Sequence, residues 1–136
     1  MKLLDGASFN RLLGAIDAAT LRHQVTANNI ANEDTPYFKR SEVAFETLLQ
    51  NQLNGQMPSL EGRRTDPRHI PIGTAASVPQ AQIHTEQLTN MNNNMNNVDI
   101  DREMSLLAEN QLRYNTMIQQ VNHEIRMMRT AIEGRR

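Results

Sequence analysis

The 136-residue chain has the size of one ordinary domain, with 38% hydrophobic residues, 4% aromatic, no Trp and eight Met carrying much of the apolar surface. That is thin material for a large self-sufficient core, so burial is expected to need partners. A formal net charge of −1 supplies no basic field for nucleic acid or anionic lipid, and the absence of Cys excludes disulfides and thiolate metal sites.

From the N-terminus, Met1-Lys2-Leu3-Leu4-Asp5-Gly6-Ala7 breaks too early for a signal-peptide core, and no apolar run approaches a membrane span. Export, if it occurs, is expected without a cleavable signal. Phe9, Leu13, Ile16, Thr20, His23, Ala27 and Ile30 then step by four and three, the mark of an amphipathic helix. A second stripe, Leu12, Ala19 and Val25, widens its apolar face, and Gly14, Ala15, Ala18 and Ala19 leave room for neighbouring backbones. The helix should stop near residues 29–32, where Asn readily takes a left-handed cap, because Thr35-Pro36 cannot continue it.

A short helix is expected next, with Ser41 as its N-cap, running through Val43, Leu48, Leu49 and Leu53 to Gly55. Residues 54–97 are polar and hold four of the five prolines. Within them 68–73 and Ile83-His84 read as strand fragments, and 90–97, six Asn in eight residues, as a flexible linker. The last segment carries the strongest pattern. Ile100, Met104, Leu107, Gln111, Tyr114, Ile118, Val121, Ile125, Met128 and Ile132 hold a 3.5-residue repeat without a slip, which predicts a coiled-coil-like helix about 50 Å long. Asp99 is placed to cap it, with Asp101 and Glu103 in its first turn and Arg126, Arg129, Arg135 and Arg136 near its end, complementing the helix dipole. Stacked head to tail, those acidic starts and basic ends would also attract in only one polarity. From periodicity alone, the apolar stripe serves equally as the seam of an intrachain hairpin or of a subunit contact.

Asn28-Asn29-Ile30-Ala31-Asn32-Glu33-Asp34-Thr35-Pro36, at the end of an N-terminal helix, resembles the signature of the bacterial flagellar rod, hook and hook-filament axial proteins. Asn96-Asn97-Val98-Asp99-Ile100-Asp101-Arg102-Glu103-Met104, with Leu107-Ala108-Glu109-Asn110-Gln111-Leu112 and Tyr114, is similar to the C-terminal segment of the proximal rod members, as is Thr65-Asp66-Pro67-Arg68-His69-Ile70. The family often has Gly then Tyr after Thr-Pro; here Tyr37-Phe38 stands, so that turn must form without glycine. The resemblance implies a structural subunit of a hollow helical shaft that transmits motor torque, forms part of the export channel and leaves the cytoplasm through the flagellar type III export apparatus. It also implies contacts with other rod proteins, the membrane-ring and export-gate base and an adaptor subunit, and a place in the periplasm-spanning rod.

No cofactor or enzyme chemistry is expected. His23, His69, His84 and His123 are scattered, no pair has metal-ligand spacing on a helix, and there is neither a phosphate loop nor a nucleophile elbow. A hydrolase reading would need Asp101, Glu103 and His123 to converge. A soluble coiled-coil adaptor or export chaperone using the same seam without polymerising is the alternative. The architecture expected is all-α, with the two terminal helices paired as a coiled-coil-like hairpin: an N-terminal helical segment 1–53, a flexible central region 54–97 and a C-terminal helix 98–136. The expected assembly surface comprises Phe9, Leu13, Ile16, Asn28, Asn29, Ile30, Asn32, Thr35, Pro36, Asn97, Val98, Asp99, Asp101, Glu103, Met104, Leu107, Tyr114, Ile118, Val121, Ile125, Met128 and Ile132. In it, the amides of Asn28, Asn29 and Asn32 would pair across chains and fix register.

Overall fold

A computed structural model describes residues 6–54, 78–87 and 94–134. The strand reading of 68–73, the 90–93 part of the linker reading and the last two arginines lie outside them. Helix α1 spans Ala7–Ala31, strand β1 Ser41–Ala44, helix α2 Glu46–Leu53, strand β2 Gln82–Thr85 and helix α3 Ile100–Glu133. The protein is thus mostly helical, with the two long terminal helices expected and a small sheet added to them. Among the described residues no helix is long and apolar enough to cross a membrane.

Asn29 of α1 meets Glu103 of α3, and Ala19 meets Asn110, so the two helices lie antiparallel. The side of α1 that is buried carries Ala18, Ala19, Val25, Thr26 and Asn29, the second stripe rather than the first. Small side chains let α3 approach α1 closely. Phe9, Ile16 and Ile30 are only half-buried, and Leu13, Thr20, His23 and Ala27 are exposed.

On α3 the buried edge also differs from the apolar stripe. Only Glu103 and Asn110, seven residues apart, are fully buried, and Met117 and Glu124 continue that edge half-buried. Leu107, Tyr114, Val121 and Met128 flank it half-buried, whereas Met104 is 54% exposed, Ile125 47% and Ile132 69%. The helix therefore turns one row of its heptad toward α1 and leaves the alternate apolar row to solvent. From Arg129 to Gly134 every residue is exposed.

The region after α1 departs from the helix expected there. Ser41 caps no helix: it opens β1, which pairs antiparallel with β2 in the register Ser41↔Thr85, Glu42↔His84, Val43↔Ile83 and Ala44↔Gln82. The cause is the Asn29 side chain, whose Oδ1 accepts from the Ser41 N–H (3.1 Å) and whose Nδ2 donates to the Ser41 carbonyl (2.8 Å). An amide presenting donor and acceptor together imitates a neighbouring peptide and holds Ser41 extended. The helix begins only at Glu46, after Phe45, which is buried with Val43. Strand formation at Ile83-His84 agrees with the sequence reading. The helix end does too in position but not in geometry: Asn32 caps α1 at φ −110° rather than in the left-handed region.

Candidate functional site

The two segments that carry the family resemblance meet in space, and a polar clasp joins them. Glu103, 1% exposed, is its centre. Its Oε1 accepts from Arg40 Nε at 2.6 Å and its Oε2 from Asn29 Nδ2 at 2.9 Å, so both carboxylate oxygens are taken. The Arg40 side chain is 7% exposed and also reaches Glu42 Oε2 at 3.1 Å. Burial by itself would lower the Arg40 pKa, but the hydrogen bonds to Glu103 and Glu42, together with their charges, raise it above its ordinary value. Charges removed from water are tolerated only when paired and hydrogen-bonded, and this pair is both.

Asn96 and Asn97, expected to end a flexible linker, are buried and form the second half of the clasp. Asn96 Nδ2 donates toward the carbonyls of Asn32 (2.9 Å), Glu33 (2.7 Å) and Thr35 (2.9 Å), closing the turn after α1, while its Oδ1 accepts from Val98 N–H at 2.7 Å. Asn97 Oδ1 accepts from Arg40 N–H at 2.6 Å and its Nδ2 donates to Glu86 O at 3.0 Å. An Asn-rich composition reads as disorder only while its amides face water; here they satisfy backbone groups that would otherwise be buried unpaired. Asp99 caps α3 as expected, accepting from the N–H groups of Asp101 and Arg102.

The amides of the first motif are therefore engaged within the chain. Asn29 spans β1 and α3, and Asn32 Nδ2 returns to Asn28 O at 2.8 Å. Of the expected surface residues, Asn29, Asn97, Val98 and Glu103 are buried against their own chain. Asn32 and Asp99 are half-buried beside them, as are Phe9, Ile16, Ile30, Leu107, Tyr114, Ile118, Val121 and Met128 along the helices. Leu13, Asn28, Thr35, Pro36, Asp101, Met104, Ile125 and Ile132 are exposed. The hydrolase constellation does not form: Glu103 is held by Arg40, and His123 stands twenty residues beyond it, about 30 Å along the same helix.

Sequence reasoning missed Arg40, which no local pattern distinguishes, and the seam role of Asn110. The second had a signal, since Glu103 and Asn110 share one helix face at heptad spacing. Asn110 Nδ2 donates to Ala19 O at 2.8 Å, while its buried Oδ1 has no partner. A buried polar residue in a helix seam fixes register at some expense of stability.

Away from the clasp, an open groove of about 480 Å³ lies between the helices, lined chiefly by Ala15, Ala19, Phe45, Leu49, Leu112 and Met117. At its rim Arg22 bridges to Glu46 at 2.7 Å, and Arg113 to Glu109 at 2.6 Å. Gly14 matters nearby because a Cβ there would come within 2.5 Å of Val78 Cγ1. At the opposite side of the clasp, the turn formed without glycine puts Tyr37 at φ 62°, and Met95 lies at φ 64°. A left-handed backbone costs a side-chain-bearing residue about 1–2 kcal/mol.

No family model matches the chain. It is 35% identical over 134 residues to the flagellar basal body rod protein FlgB of Bacillus subtilis, covering 98% of each chain. The protein of that name from Borreliella burgdorferi is 37% identical over 105 residues, 75% of this chain and 78% of its own. That from Proteus mirabilis strain HI4320 is 29% identical over 123 residues, 88% of each. With 35% identity over 98% of both chains, the chain belongs to the flagellar basal body rod protein FlgB family and is a structural protein of the proximal rod.

Proposed function

We propose that the chain polymerises through its paired terminal helices into a hollow shaft that transmits torque for motility and forms part of the export channel. The supporting observation is the inversion of the α1–α3 seam: polar Glu103 and Asn110 are buried in it, while Met104, Ile125 and Ile132 lie outside. A hairpin that needed no partner would bury its apolar row and expose its polar one. In the shaft the exposed row and Leu13 meet coiled-coil-like neighbours, and the half-buried residues from Phe9 to Met128 complete the contact. Asn28, Thr35, Pro36 and Asp101 meet neighbours around the clasp, and Asn29, Asn32, Asn97, Val98, Asp99 and Glu103 act by holding that end in shape. The described parts of the central region, 78–87 and 94–97, join this unit through β2 and the Asn96–Asn97 clasp. The partners are further copies, other rod proteins, and the membrane-ring and export-gate base with its adaptor. The chain reaches them through the type III apparatus, and has no part in binding nucleic acid or lipid.

Helices lacking part of their partner surface are weak alone. Sedimentation and circular dichroism of the purified chain should therefore show a dilute monomer that keeps the clasp but is frayed along the exposed far half of α3, less helical than the assembled form. Trypsin should cut readily at Arg126, in the exposed last turns of α3, and more slowly at Arg22, which Glu46 holds. A discrete, fully helical dimer at low concentration would mark an adaptor instead, and a monomer resistant at both sites would count against assembly-coupled ordering.

A further inference from the structure

Tyr37 and Met95 share an unusual combination. Both are bulky residues with a left-handed backbone, and both turn large apolar side chains to solvent, 76% and 49% exposed. They are neighbours: the Tyr37 N–H donates to Asn94 O at 3.0 Å, and Lys39 Nζ donates to Met95 O at 2.9 Å. Asn96, held by three carbonyls of the first turn, keeps the two segments together. The clasp thus imposes a conformation that glycine would adopt without strain, and among the described residues nothing compensates for it by burying these side chains. Strain maintained by a rigid surround, with an exposed aromatic at its tip, marks a contact made elsewhere.

The surroundings specify that contact. Glu33 and Asp34 stand beside the tip, and none of the ion pairs among the described residues uses them. At the opposite end of the antiparallel hairpin, the last turns of α3 expose Ile125, Met127 (59%) and Ile132, with exposed Arg126 and Arg129 between them. Around the knob stand the carboxylates of Glu33 and Asp34, with Lys39 turned onto Met95 O; around the apolar helix face stand Arg126 and Arg129, the latter also paired with Glu133 at 3.2 Å. The geometry points to a heterologous contact in which the Tyr37–Met95 knob of one copy seats on the last turns of α3 of a second copy, with Glu33 and Asp34 facing Arg126 and Arg129. Such a contact joins different surfaces and leaves each copy one free end, so it propagates in a single direction. It rests on the rod-subunit reading and adds the residues that meet.

Because the chain has no Cys, introduced thiol pairs report this contact without background. In flagellated cells, Tyr37→Cys with Ile125→Cys, and separately Met95→Cys with Met127→Cys, should give ladders of cross-linked copies in isolated basal bodies. Tyr37→Cys with Thr20→Cys should not. Motile cells whose basal bodies yield only monomer from both test pairs would overturn the contact and leave the rod reading intact, whereas failure of the rod reading would appear as absence of the chain from basal bodies. Tyr37→Gly supplies an independent check on the purified chain, since it relieves strain: its melting temperature should rise while self-association at low salt weakens about tenfold or more. A raised melting temperature with unchanged association would overturn the proposal.

Discussion

The clasp end of the hairpin and the far end of α3 are built on opposite principles. Around Glu103 the buried groups are polar and nearly every one has its partner within the chain; Arg40, Asn29, Asn96 and Asn97 make bonds that only this arrangement supplies. From Ile125 onward the side chains are mostly apolar or cationic and largely exposed, their polar contacts confined to the helix itself, as in the Arg129–Glu133 pair at 3.2 Å. A polar network is directional and specifies one geometry, whereas an exposed apolar face gains free energy only when another surface covers it. The first end decides the shape of the subunit, and the second is left for what the subunit joins.

Substitution at Glu103 should break this contrast most severely. Glu103→Ala leaves Arg40 buried without its carboxylate and Asn29 without one acceptor, a loss of about 3–5 kcal/mol that chemical denaturation would measure. Glu103→Gln should recover only part of it, because the neutral amide keeps the shape but not the charge. A loss below about 1 kcal/mol in the alanine variant would show that the clasp does not hold the ends together.

Asn96→Ala should have the next largest effect, about 1–3 kcal/mol, since its amide answers the carbonyls of Asn32, Glu33 and Thr35 and the N–H of Val98. Hydrogen exchange should quicken first in the turn after α1, and uniform quickening along α1 would argue for a general role instead.

At the groove rim the effect is smaller and depends on pH. Burial works to raise the Glu46 pKa, but the hydrogen bond from Arg22, its own backbone N–H and the charges of Arg22 and Arg113 hold it below its ordinary value. A folded-state value below the unfolded one means the stabilisation is present above about pH 4.5 and is lost as pH falls through the folded-state value. The Glu46 side chain is 58% exposed, so solvent screening keeps the contribution below about 1 kcal/mol. Glu46→Gln should reduce stability by that amount at neutral pH and match the wild type in acid; an equal deficit at both would assign the effect to packing.

The smallest effect on the subunit fold should come from Ile125→Asp, within about 0.5 kcal/mol, because the site is exposed in the single chain. Motility should nevertheless be lost, since assembly would bury an unpaired carboxylate. Motile cells carrying this change would show that the exposed row of α3 is not a subunit contact.

The sequence by itself determined the elements that rest on local signals: the long terminal helices, the Asp99 cap, the stop of α1 before Thr35-Pro36 and the strand at Ile83-His84. Hydrophobic period, capping chemistry and proline act within a few residues, so they can be read from neighbours alone. The two motifs that identified the family were legible as well. The polar partnership between them was not, because Arg40 lies 63 residues from Glu103, and Asn29 lies 74. Only the tertiary structure decided that Asn29 would turn Ser41 into a strand, that an Asn-rich stretch would end as a buried fastening, and that α3 would face α1 with its polar row. In each case a side chain distant in sequence supplied the hydrogen-bond partner that made the locally improbable choice the satisfied one.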